Sequence, residues 1–159
     1  MKILVVCTGN TCRSVLAEGF FLKFIKDSGA STVIVKSCGT GASPVFKVPK
    51  IVLKILGDEG VDLSGHSSTP VNKLLVDVSD YVFVMETRHR EELLKRYPDA
   101  RKKIHLLREF AEGMKLEKPE VSDPIGQPDE VYIESAGTIK ELVHKAFEKV
   151  AKDNKATNL

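Results

Sequence analysis

Tryptophan is absent from the 159-residue chain, and cysteine occurs only three times, as Cys7, Cys12 and Cys38. An odd number of cysteines confined to the start of the sequence does not suit a disulfide scaffold of the kind found in small secreted proteins. We therefore expect reduced thiols and predict a cytoplasmic location. No His and Cys residues show the spacing of a metal site, so no metal is expected.

Long apolar runs and an excess of one charge are also missing. The apolar segments fall well short of the ~18 residues that a membrane-spanning helix needs, so no membrane association is predicted. The 24 basic and 22 acidic residues give a net charge of +2, and their dispersal argues against a nucleic-acid partner. With 42% hydrophobic and 29% charged residues, the composition is that of a globular domain.

Short apolar segments alternate with segments of helical periodicity along the chain. Strands are predicted at 2–6, 32–35, 81–85 and 104–107. Helices are predicted from Ser14 to Gly29, from Pro49 to Leu56, from Thr87 to Arg96 and from Tyr132 to Val150, with one or two further turns at 71–76. Ser14 and Thr87 are the expected N-caps, and no element is assigned to the polar segment before Ser122.

This order predicts an α/β fold, a single domain with a four-stranded parallel sheet and helices on both faces. The domain is expected to span 1–152, and the tail at 153–159 is expected to fray.

A loop between the first strand and the first helix carries the clearest chemical pattern. Cys7 and Arg13 are separated by five residues there, and Gly9 and Asn10 permit a positive φ. Loop amides and the helix N-terminus would converge on a bound phosphate, and Arg13 would add a bidentate fork. The positive N-terminal end of the helix also favours the thiolate form of Cys7, a nucleophile able to accept a phosphoryl group. Ser14 could donate a hydrogen bond to that thiolate.

The spacing alone is a weak signal, because free cysteines are often buried as small apolar residues. We assign Cys38 to that class. For Cys7 the preceding strand, the Gly-Asn loop and the following amphipathic helix all favour the anion site. The chain contains no G-x-x-x-x-G-K-[ST] motif and no G-x-G-x-x-G after a strand, which excludes the common nucleotide-binding loops.

Several short segments, spread over nearly the whole chain, form a recognisable pattern. They are Val6-Cys7-Thr8-Gly9-Asn10-Thr11-Cys12-Arg13-Ser14, Ala17-Glu18, Ser37-Cys38-Gly39-Thr40, Gly60-Val61-Asp62 to His66, Asp80-Tyr81-Val82 to Met85-Glu86, and Asp123-Pro124. Together they resemble the low-molecular-weight protein tyrosine phosphatases. The resemblance implies a phosphatase that acts on phosphorylated proteins through a cysteinyl-phosphate intermediate on Cys7, without a metal or other cofactor.

The resemblance also implies roles for individual residues. The phosphate would be bound by Thr8, Gly9, Asn10, Thr11, Cys12, Arg13 and Ser14. Asp123 would be the general acid, delivered by a loop over the site, and an acid is needed because the thiolate expels a poor leaving group. Asn10, Ser37 and His66 would form a network that supports the phosphate loop, although His66 could instead be a surface residue. The other histidines, His89, His105 and His144, are assigned to surfaces.

The chain departs from the family pattern at three places, and two of these departures bear on the substrate. Val15 stands where the family usually has Pro, which should change the start of the helix little. Ile125 and Gly126 follow Asp123-Pro124, where tyrosine-specific members carry aromatic residues that flank the substrate ring. Thr11 replaces the usual Ile and, with Gly41-Ala42-Ser43-Pro44, resembles the bacterial protein arginine phosphatases. Thr11 and Ile125 are therefore the predicted specificity residues, and phosphoarginine is the favoured substrate.

Three alternatives stay open. A protein tyrosine phosphatase of the same family is the nearest. A thioredoxin-coupled arsenate reductase would need two further cysteines after the third strand, and 81–107 contains none. A non-catalytic anion-binding module would not need a nucleophile, an arginine and an acid together. The sequence does not indicate an oligomeric state.

Cys12 lies in the same loop as Cys7, and we predict that it lies within disulfide reach. Peroxide should then inactivate the protein reversibly, because Cys12 captures the sulfenic acid of Cys7 as a disulfide. In Cys12→Ser, recovery by dithiothreitol should be poorer, as Cys7 passes on to sulfinic acid. Mass spectrometry of the inactivated protein checks this, and the absence of a Cys7–Cys12 bond in the wild type would refute the protective role.

Overall fold

Four parallel strands form the centre of the protein in a computed structural model that describes residues 1–157, with side chains described for 1–153. The strands are β1 (Lys2–Cys7), β2 (Ile34–Gly39), β3 (Tyr81–Val84) and β4 (Ile104–Leu106). Their order in the sheet is β2-β1-β3-β4, so β1 is central and pairs in parallel with β2 and β3. The predicted α/β fold with a four-stranded parallel sheet is confirmed.

Helices cover both faces of this sheet. They are α1 (Arg13–Ser28), α2 (Lys50–Asp58), α3 (Lys73–Val78), α4 (Thr87–Arg96), α5 (Leu107–Glu112) and α6 (Asp129–Thr157), with a 3₁₀ helix at Pro98–Lys103. Successive residues of a strand point to opposite faces. Ile3 and Val5 therefore pack with α1, α2, α5 and α6, whereas Leu4 and Val6 pack with α3 and α4. β1 is thus buried on both faces, as its continuous apolar sequence indicates.

The carboxyl end of β1 meets the start of α1 at one edge of the sheet, and the loop between them packs on β2. Cys7 is opposite Gly39 in the register of β1 and β2. A Cβ atom at Gly39 would lie 2.3 Å from the backbone oxygen of Thr8. Only glycine allows this close approach of two backbones, which explains its place in the pattern recognised in the sequence.

Three details of the predicted elements are wrong. The N-caps are Cys12 for α1 and Glu86 for α4, one or two residues before the predicted Ser14 and Thr87. The polar segment after β4 contains α5, which buries Leu107 and Ala111. Two apolar residues on one short helical face give too weak a periodic signal to stand out from their polar neighbours.

The last helix, α6, continues to Thr157. It therefore includes most of the tail at 153–159 that the sequence predicts to fray, and residues 158–159 lie outside the described residues. Fraying of this segment stays a prediction. Within the described part of the chain, no helix combines the length and the apolar character needed to cross a membrane.

The contact of α1 with α2 depends on a glycine. A Cβ atom at Gly19 would lie 2.4 Å from Cδ2 of Leu56, a fully buried side chain with little room to move. Gly137 in α6 is the matched control, because nothing lies within 4 Å of a Cβ atom there.

We expect Gly19→Ala to lower the free energy of unfolding by about 0.5–2 kcal/mol, since overpacking outweighs the gain in helix propensity. Gly137→Ala should raise the same quantity by about 0.5–1 kcal/mol. Urea unfolding of the three proteins checks both values. A stabilised Gly19→Ala variant would show that Leu56 moves aside freely.

Candidate active site

The loop between β1 and α1 has a backbone conformation that an asparagine side chain supports. Asn10 has a φ of 54°, and it is the one residue other than glycine with a positive φ in the described chain. Its side chain is fully buried and uses all its hydrogen-bonding groups. Nδ2 donates to Ser14 Oγ and to Ser37 Oγ, both at 2.9 Å, and Oδ1 accepts from the backbone N–H of Thr69 at 2.9 Å.

These bonds fix the direction of a chain of hydroxyl groups. Since Asn10 donates to Ser37, the Ser37 hydroxyl is free to donate in turn, and it does so to the buried carboxylate of Glu18. Since Asn10 also donates to Ser14, the Ser14 hydroxyl proton is free to point at Cys7. The Oγ of Ser14 lies 3.0 Å from the Sγ of Cys7. A hydrogen bond to sulfur stabilises a thiolate.

The backbone oxygen of Asn10 is held by two further side chains. Ser68 donates to it at 3.0 Å, and Nε2 of His66 lies 3.1 Å away. The structure thus brings together Asn10, Ser37 and His66, which are far apart in sequence. It adds Glu18 and Ser68, which sequence reasoning did not place in this group.

Cys7 lies at the base of a cleft of about 570 Å³. Its side chain is almost completely buried, as are those of Cys12 and Cys38, and all three cysteines are free. Burial, with the nearby Cys7 and Asp123 acting in the same direction, raises the pKa of Cys12 to about 12. Burial also raises the pKa of Cys38. Neither of these two thiols is therefore poised to ionise at neutral pH.

Arg13 is buried behind the loop and holds three groups in place. Its Nη1 donates to the carboxylate of Glu86 and, at 2.9 Å, to the backbone oxygen of Val121, and its Nη2 donates to Asp123 Oδ2 at 3.0 Å. Burial raises the pKa of Glu86, but hydrogen bonds from Arg88 and Arg13 outweigh this effect and hold it at about 2. Glu86 is therefore ionised at neutral pH and balances the buried guanidinium.

Asp123 stands at the wall of the cleft, on the loop before α6 that we call the acid loop (122–126). Its Oδ1 accepts from the backbone N–H of Ile125 at 3.1 Å. Thr11 and Ile125 also line the cleft, so the structure brings together the predicted nucleophile, arginine, acid and specificity residues.

Three cleft residues were missed from the sequence, namely Phe46, Lys47 and Arg88. Arg88 donates to Thr8 Oγ1 at 3.1 Å. Arg88 follows β3 closely and therefore lies at the carboxyl edge of the sheet, where ligands commonly bind. Its place in the sequence after a predicted strand could thus have identified it as a cleft residue. Phe46 lies on an irregular loop, for which the sequence offers no such guide.

The prediction of a surface position for His89 is wrong. His89 is only 1% exposed, because the first turn of α4 lies against the loop, where its Nε2 is 2.8 Å from Thr8 Oγ1. Its Nδ1 has no hydrogen-bond partner among the described residues. His105 is half-buried among aromatic rings, whereas His144 is exposed, as predicted.

Comparison with known proteins agrees with this geometry. Residues 2–156 match the family model described as low molecular weight phosphotyrosine protein phosphatase. The chain belongs to this family. A protein-arginine-phosphatase of Bacillus subtilis (strain 168) is 31% identical over 98% of this chain and 100% of its own length.

Solved structures give the same result. The YwlE arginine phosphatase, in a mutant with a phosphorylated active-site serine, superposes with a TM-score of 0.89 at 30% identity, covering 98% of this chain and 99% of its own. A low molecular weight protein tyrosine phosphatase from T. tengcongensis superposes with a TM-score of 0.85 at 36% identity, covering 94% and 99% of the two chains. In the present chain, Cys7 is the last residue of β1.

One relative is named for arsenate reduction, the alternative activity considered in the sequence analysis. A glutaredoxin arsenate reductase from Synechocystis is 29% identical over 94% of this chain and 98% of its own length. Overall identity is thus nearly the same for this reductase as for the arginine phosphatase. The three buried cysteines of this chain all lie at or before Cys38, so β3 and α4 supply no further thiol.

The buried imidazole of His89 predicts a pH dependence of stability. Burial, reinforced by the nearby Arg13, lowers the pKa of His89 from 6.5 to about 4. As the pH falls from 6.5 to 4, the unfolded chain binds a proton at this residue before the folded protein does. The free energy of unfolding must therefore fall over that range.

We expect His89→Gln to lose this part of the pH dependence, on the order of 3 kcal/mol. The measurement is urea unfolding at a series of pH values. His144→Gln, at an exposed position, should keep the wild-type slope. The lowered pKa of His105 acts in the same direction, so a smaller slope should persist in His89→Gln. Equal slopes in His89→Gln and the wild type would refute a buried neutral His89.

Proposed function

We propose that this protein removes phosphoryl groups from proteins, with Cys7 as the nucleophile and phosphoarginine as the preferred substrate. The observation that carries the proposal is the position of Cys7 at the base of the cleft, 3.0 Å from a hydroxyl group whose proton is free to point at it. Membership of the family supports the cysteine-dependent reaction. A cytoplasmic location remains a prediction from the cysteine content.

The first step is attack of the Cys7 thiolate on phosphorus. Arg13 has five N–H groups, and Glu86, Val121 and Asp123 accept hydrogen bonds from three of them. The remaining two, on Nε and Nη2, are available for phosphoryl oxygens, together with the amides of the loop. Asp123 donates a proton to the leaving group, which departs from phosphorus as the S–P bond forms.

The second step is hydrolysis of the cysteinyl phosphate. The Asp123 carboxylate, now deprotonated, removes a proton from the attacking water. Water oxygen bonds to phosphorus, the S–P bond breaks, and Cys7 leaves as a thiolate. The hydrogen bond from Ser14 stabilises this leaving group, and inorganic phosphate is released.

The preference for phosphoarginine rests on Thr11 and on the acid. A guanidinium group needs polar partners in its plane, and two residues with polar side chains, Thr11 and Asp123, both line the cleft. An isoleucine at residue 11 would instead offer apolar surface to a phenyl ring. Phe46 also lines the cleft, so a ring is present although Ile125 supplies none. Aromatic rings stack on guanidinium as well as on phenyl groups, so Phe46 does not decide between the substrates.

The relatives of this chain include phosphatases named for each of the two substrates. Arginine phosphatases and a tyrosine phosphatase are both similar to this chain, at comparable identity. A protein tyrosine phosphatase is therefore the second candidate function. A tyrosine phosphatase would use the same phosphate loop, but its cleft wall would recognise a phenyl ring instead of a guanidinium group.

Asp123→Asn tests the general acid. We expect it to slow phosphorylation of Cys7 about 10²–10⁴-fold for substrates with basic leaving groups, and much less for p-nitrophenyl phosphate, whose leaving group needs little protonation. Rates of single turnovers on the two kinds of substrate check this. Glu120→Gln, a change at an exposed carboxylate near the acid loop, is the matched control. Equal losses for both leaving groups would remove Asp123 from the role of acid.

Thr11→Ile tests the substrate class. The wild type should show a higher kcat/KM for phosphoarginine peptides than for phosphotyrosine peptides of the same sequence. The variant should shift this ratio towards phosphotyrosine by roughly 1–3 kcal/mol of discrimination. Thr11→Ser, which keeps the hydroxyl, should preserve the preference. A wild type that favours phosphotyrosine, with a ratio unchanged in Thr11→Ile, would make the protein a tyrosine phosphatase.

A further inference from the structure

Arg88 has a fixed orientation at the edge of the cleft that contains Cys7. It lies on the first turn of α4 and lines the cleft. The carboxylate of Glu86 accepts hydrogen bonds from its Nε at 2.6 Å and from its Nη2 at 3.2 Å. Nη2 also donates to Thr8 Oγ1 at 3.1 Å. These three hydrogen bonds hold the plane of the guanidinium in place before a ligand binds, which lowers the entropic cost of binding.

Two N–H groups of Arg88 remain available to a ligand. The guanidinium has five N–H groups, and the three hydrogen bonds leave both N–H groups of Nη1 without a partner among the described residues. The side chain is 59% exposed, so a molecule that enters the cleft can reach Nη1. A guanidinium with free N–H groups pairs best with a carboxylate or a phosphate group.

The carboxylates near Arg88 leave its charge only partly balanced. Glu86 is shared, because it also accepts a hydrogen bond from Arg13. Asp123 accepts from Arg13 at the wall of the cleft. Glu92, one turn further along α4, forms an ion pair within that helix. In the described part of the chain, Arg88 forms an ion pair with Glu86 alone. A further carboxylate is therefore the partner that Arg88 can still accept.

Lys47 adds a second positive charge to the lining of the cleft. It is exposed, on the loop before α2, and no ion pair joins it to an acid of the described residues. The other two charged residues of the lining, Arg13 and Asp123, bind each other and are less exposed than Arg88. The accessible charge of the cleft is therefore positive, which attracts acidic groups of a partner.

We propose that Arg88, together with Lys47, makes the protein selective for substrates with an acidic residue next to the phosphorylated residue. This inference rests on the proposed function, because the phosphorylated side chain must occupy the phosphate loop. Arg88 contacts Thr8, the residue that follows Cys7, so it lies close to a side chain that reaches the nucleophile. Neighbouring residues of the substrate then lie at the exposed edge of the cleft, where a carboxylate can accept hydrogen bonds from Nη1.

The test compares the dissociation constants of phosphoarginine peptides that differ only in the two residues flanking the phosphoarginine. These residues are both Glu, both Gln or both Lys. A parallel set carries phosphotyrosine, because both candidate substrates would use this cleft. Binding is measured on Cys7→Ala, which has no nucleophile and cannot turn the peptides over. The Glu peptide should bind about two- to fivefold more tightly than the Gln peptide, and the Lys peptide should bind most weakly.

Variants made in the same background assign this preference to individual residues. Arg88→Gln should bring the ratio of the dissociation constants of the Glu and Gln peptides close to one, and Lys47→Gln should reduce the preference in part. Arg88→Glu should reverse the order, so that the Lys peptide binds most tightly. Arg101→Gln, at an exposed arginine of the 3₁₀ helix, should leave the ratio unchanged. Salt at about 0.5 M should weaken the preference, since it screens exposed charges.

Equal binding of the Glu and Gln peptides, or a preference that survives in Arg88→Gln, would overturn the proposal. A loss of affinity by the same factor for all three peptides in Arg88→Gln would also overturn it, because Arg88 would then act on the phosphoryl group or on the loop. Failure of both peptide sets to bind would overturn it too. A Glu preference in Cys7→Ala without turnover by the wild type would refute the proposed function and support this selectivity.

Discussion

The active-site loop depends on one buried amide, that of Asn10. Asn10 has a left-handed backbone conformation. Its side chain forms hydrogen bonds that join the loop to α1, to β2 and to the segment after residue 66. Both N–H groups of the amide donate to serine hydroxyls, those of Ser37 and Ser14. The Ser37 hydroxyl therefore donates to Glu18. The same amide thus supports the shape of the loop and leaves the Ser14 hydroxyl proton free to point at the sulfur of Cys7.

Arg13 connects this loop to the opposite wall of the cleft. It is almost fully buried, and it bonds to Glu86 after β3 and to Asp123 on the acid loop. Without an anionic partner such a guanidinium would be strongly destabilising. The ion pairs therefore fix where three separate segments meet, and they hold Asp123 at the wall of the cleft that Cys7 also lines. Parallel strands make this possible, because their carboxyl ends share one edge of the sheet.

Local sequence patterns predicted the sheet, the main helices and the loop at Cys7, since each depends on the periodicity of nearby residues. They did not predict α5, which is short and buries two apolar residues, or the burial of His89. Glu86 and Arg88 contact the loop across more than 70 residues of sequence, and no local pattern encodes such a contact. The position of Asp123 was expected from the family resemblance, as an Asp-Pro pair by itself indicates only a turn.

The central claim is that the phosphoryl group passes through Cys7. It is tested most directly by mass spectrometry of the protein denatured rapidly during turnover of a phosphoarginine peptide. We predict the added mass of one phosphoryl group on the peptide that contains Cys7, and on no other peptide. A phosphoryl group found on any other residue would contradict the mechanism.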